Sequence, residues 1–202
     1  MRQRARKGEG DRLRIEIIEA ADRLLVETGD EDAVTVRAVA REVGCTAPAI
    51  YLHFEDRQEL LLAVAERYFA DLDRHVDAAV DRDGDPVECL RRGAAAYVQW
   101  GVDNPEPYRM IFMTRRDDVV SSIGATAFGH LVEAAQRAID AGRIVERDAL
   151  VVATGLWSVM HGVASLAVAT PGALPSPLDT LTTHVLEKYL AGLTVDAATM
   201  EA

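Results

Sequence analysis

Cysteine and lysine are scarce in this chain of 202 residues, which holds only Cys45 and Cys89 and only two lysines against 20 arginines. The two cysteines match no metal-site spacing, so a reduced, cytoplasmic protein without metal is the expectation. Long hydrophobic runs are missing as well. No apolar stretch reaches the ~18 residues needed to cross a bilayer, so no membrane partner is expected. The basic start, MRQRARKGEG, has no apolar segment behind it and does not read as a secretory signal. Catalytic signatures are also lacking. There is no Gly-rich phosphate loop, no Gly-x-Ser-x-Gly elbow and no histidine pair at metal spacing, since His53, His75, His130, His161 and His184 are scattered. Neither an enzyme activity nor a cofactor is expected. Internal repeats, low-complexity tracts and alternating strand patterns are absent too.

What is present is apolar surface at helical spacing. Hydrophobic residues make up 49% of the chain, enough for a substantial core. Ile17, Ile18, Ala21, Leu24 and Leu25 form one stripe from Leu13 to about Glu27, closed by Gly29. Leu60, Val64, Tyr68, Leu72 and Val76 recur every four residues and predict a long helix from Asp56 to about Ala79. Asp85-Pro86 with Glu88, Asn104-Pro105, and Ser176-Pro177 with Asp179 each open a further helix. Two more are predicted from about Val119 to Ala141 and from about Glu146 to Ala169. The fold class is therefore all-α, with about nine helices, three in an N-terminal head (1–55) and six in a body (56–202).

Between the first stripe and the long helix lies TVRAVAREVGCTAPAIYLHF, residues 35–54. Val36, Val39, Ala40 and Val43 share one helical face, Thr35 can cap it, and Gly44 can end it in the left-handed conformation. Thr46 can cap a second short helix, in which Pro48 falls within the first turn. Two helices joined by a glycine turn can place a recognition helix in the DNA major groove; the pattern alone also fits an ordinary helical hairpin. Charge bears on the choice. The net charge is −11, yet Arg2, Arg4, Arg6 and Lys7 precede any acid, so a basic arm sits on an acidic protein. Such an arm suits a small DNA footprint, and equally a solvated chain start.

The extended pattern resembles the tetracycline-repressor (TetR) family of bacterial transcription regulators. It runs I17-I18-E19-A20-A21, G29, T35-V36-R37-A38-V39-A40, V43-G44-C45-T46, I50-Y51-L52-H53-F54 and L60-L61. Trp157-x-x-x-His161-Gly162, and Asn104-Pro105 followed by Tyr108-Arg109-Met110, resemble one subgroup of that family. Gly29 is followed by Asp30-Glu31-Asp32 where members usually have an aromatic. Cys45 stands where a branched aliphatic is common, and Ala47-Pro48-Ala49 lacks the Lys or Arg often found there.

The resemblance implies a homodimer whose heads bind a near-palindromic double-stranded operator, usually repressing transcription until a small molecule enters the body. A helical, dimeric interaction protein with weakened DNA binding is the second reading. The matched positions imply that Thr46, Ala47, Pro48 and Tyr51 face the major groove together with Arg37, which alone can contact guanine in bidentate fashion. Thr35, Tyr51, His53 and Arg57 match phosphate-clamping positions. His53 also fits a solvated helix end, and Arg57 a salt-bridging surface residue.

In the body, Gly155, Ser158, Gly162, Ser165 and Ala169 form a stripe of small residues that admits another helix closely. The family implies a four-helix dimer interface from this helix and the last, which supplies Leu181, Val185, Leu186, Tyr189 and Leu193. The stripe also fits packing within one subunit. A ligand cavity is expected among the middle helices, lined from Tyr97, Trp100, Tyr108, Met110, Phe112, Met113, Phe128, Trp157 and His161, fewer than half of them touching ligand. His161 also fits a hydrogen-bonded core role. Aromatic and methionine candidates outnumber charged ones, so an apolar or aromatic effector is expected.

Overall fold

The computed structural model describes residues 9–113 and 119–194, and the basic arm of Arg2, Arg4, Arg6 and Lys7 lies outside them. Helix α1 (Glu9–Thr28) starts a turn before Leu13 and buries Ile17, Ile18, Ala21 and Leu25. Gly29 ends it at φ 62°, a conformation that suits glycine. The acidic link tightens into one 3-10 turn, Glu31–Ala33, capped by the Asp30 carboxylate. In α2 (Val36–Val43), Thr35 Oγ1 accepts from the Ala38 amide at 3.1 Å, and Gly44 follows at φ 76°. Helix α3 spans only Ala47–Ile50, and Thr46 sits at its N-cap without bonding an amide. The expectation that Thr46 caps α3 is thus corrected for its side chain, which is exposed.

Helix α4 (Arg57–Ala79) begins as its sequence predicts. The Asp56 carboxylate accepts from the Glu59 amide at 2.9 Å, and Glu59 Oε2 accepts from the Glu55 amide at 2.5 Å. Then follow α5 (Pro86–Asp103), capped by Asp85, and α6 (Pro105–Tyr108), which passes into a π-helical turn over Arg109–Met113. Helices α7 (Val119–Asp140), α8 (Ala149–Ala169) and α9 (Leu178–Ala191) complete nine α-helices among the described residues. No strand occurs there, only an isolated bridge between Ile144 and Thr194.

Helix α4 joins the N-terminal helices to the middle ones, packing on α1 and also on α5 and α7. Polar bonds lock these contacts. The Tyr68 hydroxyl donates to Asp22 of α1, and Trp100 Nε1 donates to Asp71 Oδ2 at 2.9 Å. Burial first, and Asp22 second, push the Tyr68 phenol pKa upward, so it stays a donor. Helix α8 packs against α5, α7 and α9. It overturns one expectation: over 21 residues its mean hydropathy of 1.6 makes it long and apolar enough to cross a membrane. The reason is its place in the fold, since an all-round apolar helix serves a core equally well. Val152, Ala153, Leu156 and Ala164 are fully buried in it.

Candidate DNA-binding head and effector cavity

The helix-turn-helix presents a mixed surface. Thr35, Arg37, Thr46, Pro48 and Tyr51 are exposed, Ala47 and His53 are half-buried, and Ile50 and Phe54 form the apolar underside. Arg37 and Arg41 lie one turn apart on α2, and neither has a carboxylate partner among the described residues. Two features escaped the sequence reading. Leu52 is 77% exposed beside Tyr51, and the Arg14 guanidinium stacks 5.0 Å from the Phe54 ring centroid. Neither carried a periodic signal.

Arg57 is corrected. Its Nε donates to the Val34 carbonyl at 2.8 Å, its Nη2 donates to the Glu31 carbonyl, and Asp32 lies 3.6 Å away. The side chain pins the 3-10 turn to the start of α4 instead of standing free for phosphate. Backbone carbonyls without helical partners attract a guanidinium strongly, and residue spacing does not reveal them.

The body encloses a cavity of about 550 Å³ between α4, α5, α7 and α8. Tyr97, Phe128 and Trp157 line it, as does Phe112. Trp100, Tyr108, Met110, Met113 and His161 do not, and each has a reason. Trp100 is spent on Asp71, and Tyr108 is fully buried, its ring filling the space over Gly101, where a Cβ would lie 2.8 Å away. Within the π-helical turn Met110 is buried in the core and Met113 is exposed, while Ile111 and Phe112 meet the cavity. Phe69, Leu72 and Val76 of α4 form a wall; Leu72 and Val76 stand out in the sequence only as part of the helical recurrence, and Phe69 not at all.

His161 sits just behind that wall in a polar cluster. The hydroxyls of Tyr97 and Tyr108 each lie 2.9 Å from its Nδ1, and the Tyr108 hydroxyl is 3.0 Å from Ser165 Oγ. The rings of Phe112 and Trp157 stand 5.3 and 5.0 Å from the imidazole. Burial lowers the His161 pKa below its ordinary value and raises both phenols, so all three are neutral near pH 7. The cluster joins the cavity wall at Tyr97 to α6 at Tyr108 and to α8.

The small-residue stripe divides. Gly155 receives Tyr189 of the same chain, since a Cβ there would lie 2.1 Å from the Tyr189 hydroxyl, which donates to the Val152 carbonyl at 3.0 Å. Ser165 is engaged by Tyr108. For Gly155, Ser165 and Tyr189 the close packing is therefore made within one chain, by α9 at Gly155 and by Tyr108 of α6 at Ser165. Ser158 is exposed and Gly162 faces open space, while Leu181 and Val185 are half-buried. Leu150, Val151 and Leu166 are more than half exposed.

Comparison with known proteins agrees with this geometry. The model for bacterial regulatory proteins of the tetR family matches residues 17–64, and the tetracyclin repressor-like C-terminal domain matches residues 90–189. The HTH-type transcriptional regulator TtgR of Pseudomonas putida is 33% identical over 90 residues, 44% of this chain and 42% of the relative. The HTH-type transcriptional activator FasR of Mycolicibacterium smegmatis is 29% identical over 102 residues, 50% of this chain and 46% of the relative. These matches span less than half the length of either relative. A solved structure from Rhodococcus sp. RHA1, of a protein with unknown function, superposes with a TM-score of 0.80 at 28% identity, covering 96% of this chain and 100% of that one. The chain belongs to the TetR family of transcriptional regulators, with a helix-turn-helix DNA-binding domain at its N-terminal end.

Proposed function

We propose that this protein is a ligand-responsive repressor that binds a near-palindromic operator as a homodimer. Residues 1–55 form the DNA-binding head, and residues 56–202 form the effector-binding and dimerisation body. One observation carries the reading: the wall of the apolar cavity includes Phe69, Leu72 and Val76 of α4, the helix that also packs against α1 of the head. An apolar or aromatic effector seated there presses on the element that sets the position of the head. It releases DNA if it binds one head-to-head spacing better than the other, since equal affinity for both shifts nothing.

On the DNA, Arg37 and Thr46 read polar base edges, while Ala47 and Pro48 offer apolar surface to thymine methyls. Thr35, Tyr51 and His53 hold phosphates. A gel-shift with the DNA flanking the protein's own gene tests the reading. The expected result is a retarded band lost on adding an apolar effector. Absence of any specific band at moderate salt would overturn it and leave a helical interaction protein with weakened DNA binding.

A further inference from the structure

We infer that the effector is an apolar molecule carrying one carboxylate, and that Arg137 is the partner of that charge. The inference rests on reading the cavity as the effector site. The cavity wall is mainly apolar, but five acidic, basic or imidazole side chains reach it: Asp73, Asp77, Arg82, His130 and Arg137. Four of them satisfy one another. His130 Nδ1 lies 3.0 Å from Asp73 Oδ1, and Arg82 Nη2 lies 2.5 Å from Asp77 Oδ1. Arg137 has neither a hydrogen bond nor an ion pair with any described residue.

Its position makes that vacancy chemical. Ala127, Leu131, Ala134 and Arg137 follow helical spacing along the face of α7 that lines the cavity, so the guanidinium ends an otherwise apolar stripe. Toward the start of α7, Gly124 faces the Phe69 ring, whose centroid lies 5.7 Å from that of Phe112, and all three line the cavity. An elongated ligand thus meets rings at one end and a cation at the other. Arg137 is exposed at the cavity rim, and a guanidinium there still matches a carboxylate with two parallel bonds. Arg137 also lies in the last turn of α7, where a cation complements the helix dipole. That role is indifferent to the ligand's head group, which is what separates the two.

The test compares sodium decanoate with 1-decanol, which share a chain and differ in charge, binding to the full chain. Trp157 lines the cavity and reports occupancy by its fluorescence, while Trp100 is buried against Asp71 as a constant background. Decanoate should bind about tenfold more tightly than decanol. Arg137→Gln should bring decanoate down to the level of decanol and leave decanol unchanged, while Arg137→Lys keeps part of the preference. Equal binding of both probes by the parent, or an undiminished preference in Arg137→Gln, overturns the charge assignment alone. Binding of neither probe overturns the cavity reading and this inference with it.

Discussion

The imidazole nitrogen Nδ1 of His161 has one lone pair, and the phenols of Tyr97 and Tyr108 both lie 2.9 Å from it. A neutral ring with its proton on Nε2 accepts there, whereas a protonated ring would turn an acceptor into a donor. Burial holds the folded-state pKa below the ordinary 6.5. Below that value the unfolded chain takes up a proton that the folded chain refuses, so stability falls as pH drops. Above it the ring is neutral in both states and the effect is absent. Urea unfolding from about pH 7.5 to about pH 5.5 should show this slope in the parent and a flatter one in His161→Gln. A parallel slope in both proteins would remove His161 as its source. At the other surface, Arg37→Ala should cost ~1–3 kcal/mol of operator binding and relax the preference at one base pair per half-site. Selection of operators from a random library checks this, and an unchanged preferred sequence would sink the assignment.

Among the elements, those written in local chemistry were legible. Thr35, Asp56 and Asp85 each cap the helix their position predicts, and the four-residue recurrence of Leu60 to Leu72 is the buried face of α4. Elements that depend on distant partners were not. The π-helical turn at Arg109–Met113 has no periodic signature, and Met110 and Met113, both within it, lie away from the expected wall. Tyr108 was unreadable as a spacer because its fit over Gly101 joins two helices. Arg57 belongs to the same class, since its partners are carbonyls of a turn far back in the chain. Its role yields a discriminating measurement. Loss of a phosphate contact would reduce the salt slope of binding by about one, whereas loss of a pin behind the surface leaves the slope intact. Arg57→Ala should therefore weaken binding and lower the melting temperature while keeping the parent slope.

At the scale of the molecule, the single chain leaves apolar surface that its own helices do not cover. Val151 is 54% exposed and Leu166 is 56% exposed on α8, with Ser158 exposed and Gly162 open between them. A folded chain seldom leaves such a face bare in water, and a stripe along the most apolar helix fits a second copy of the same helix. In a two-fold assembly each residue near the axis meets its own copy, so one substitution introduces two like charges at close range. For the homodimer proposed above, Leu166→Glu should therefore give a monomer by light scattering, with helical circular dichroism unchanged because the side chain is half in solvent already. Binding to a full operator should fall further than binding to a half-site, since only the former uses both heads at once. A variant that stays dimeric would place the interface elsewhere and leave the uncovered face of α8 without its assigned partner.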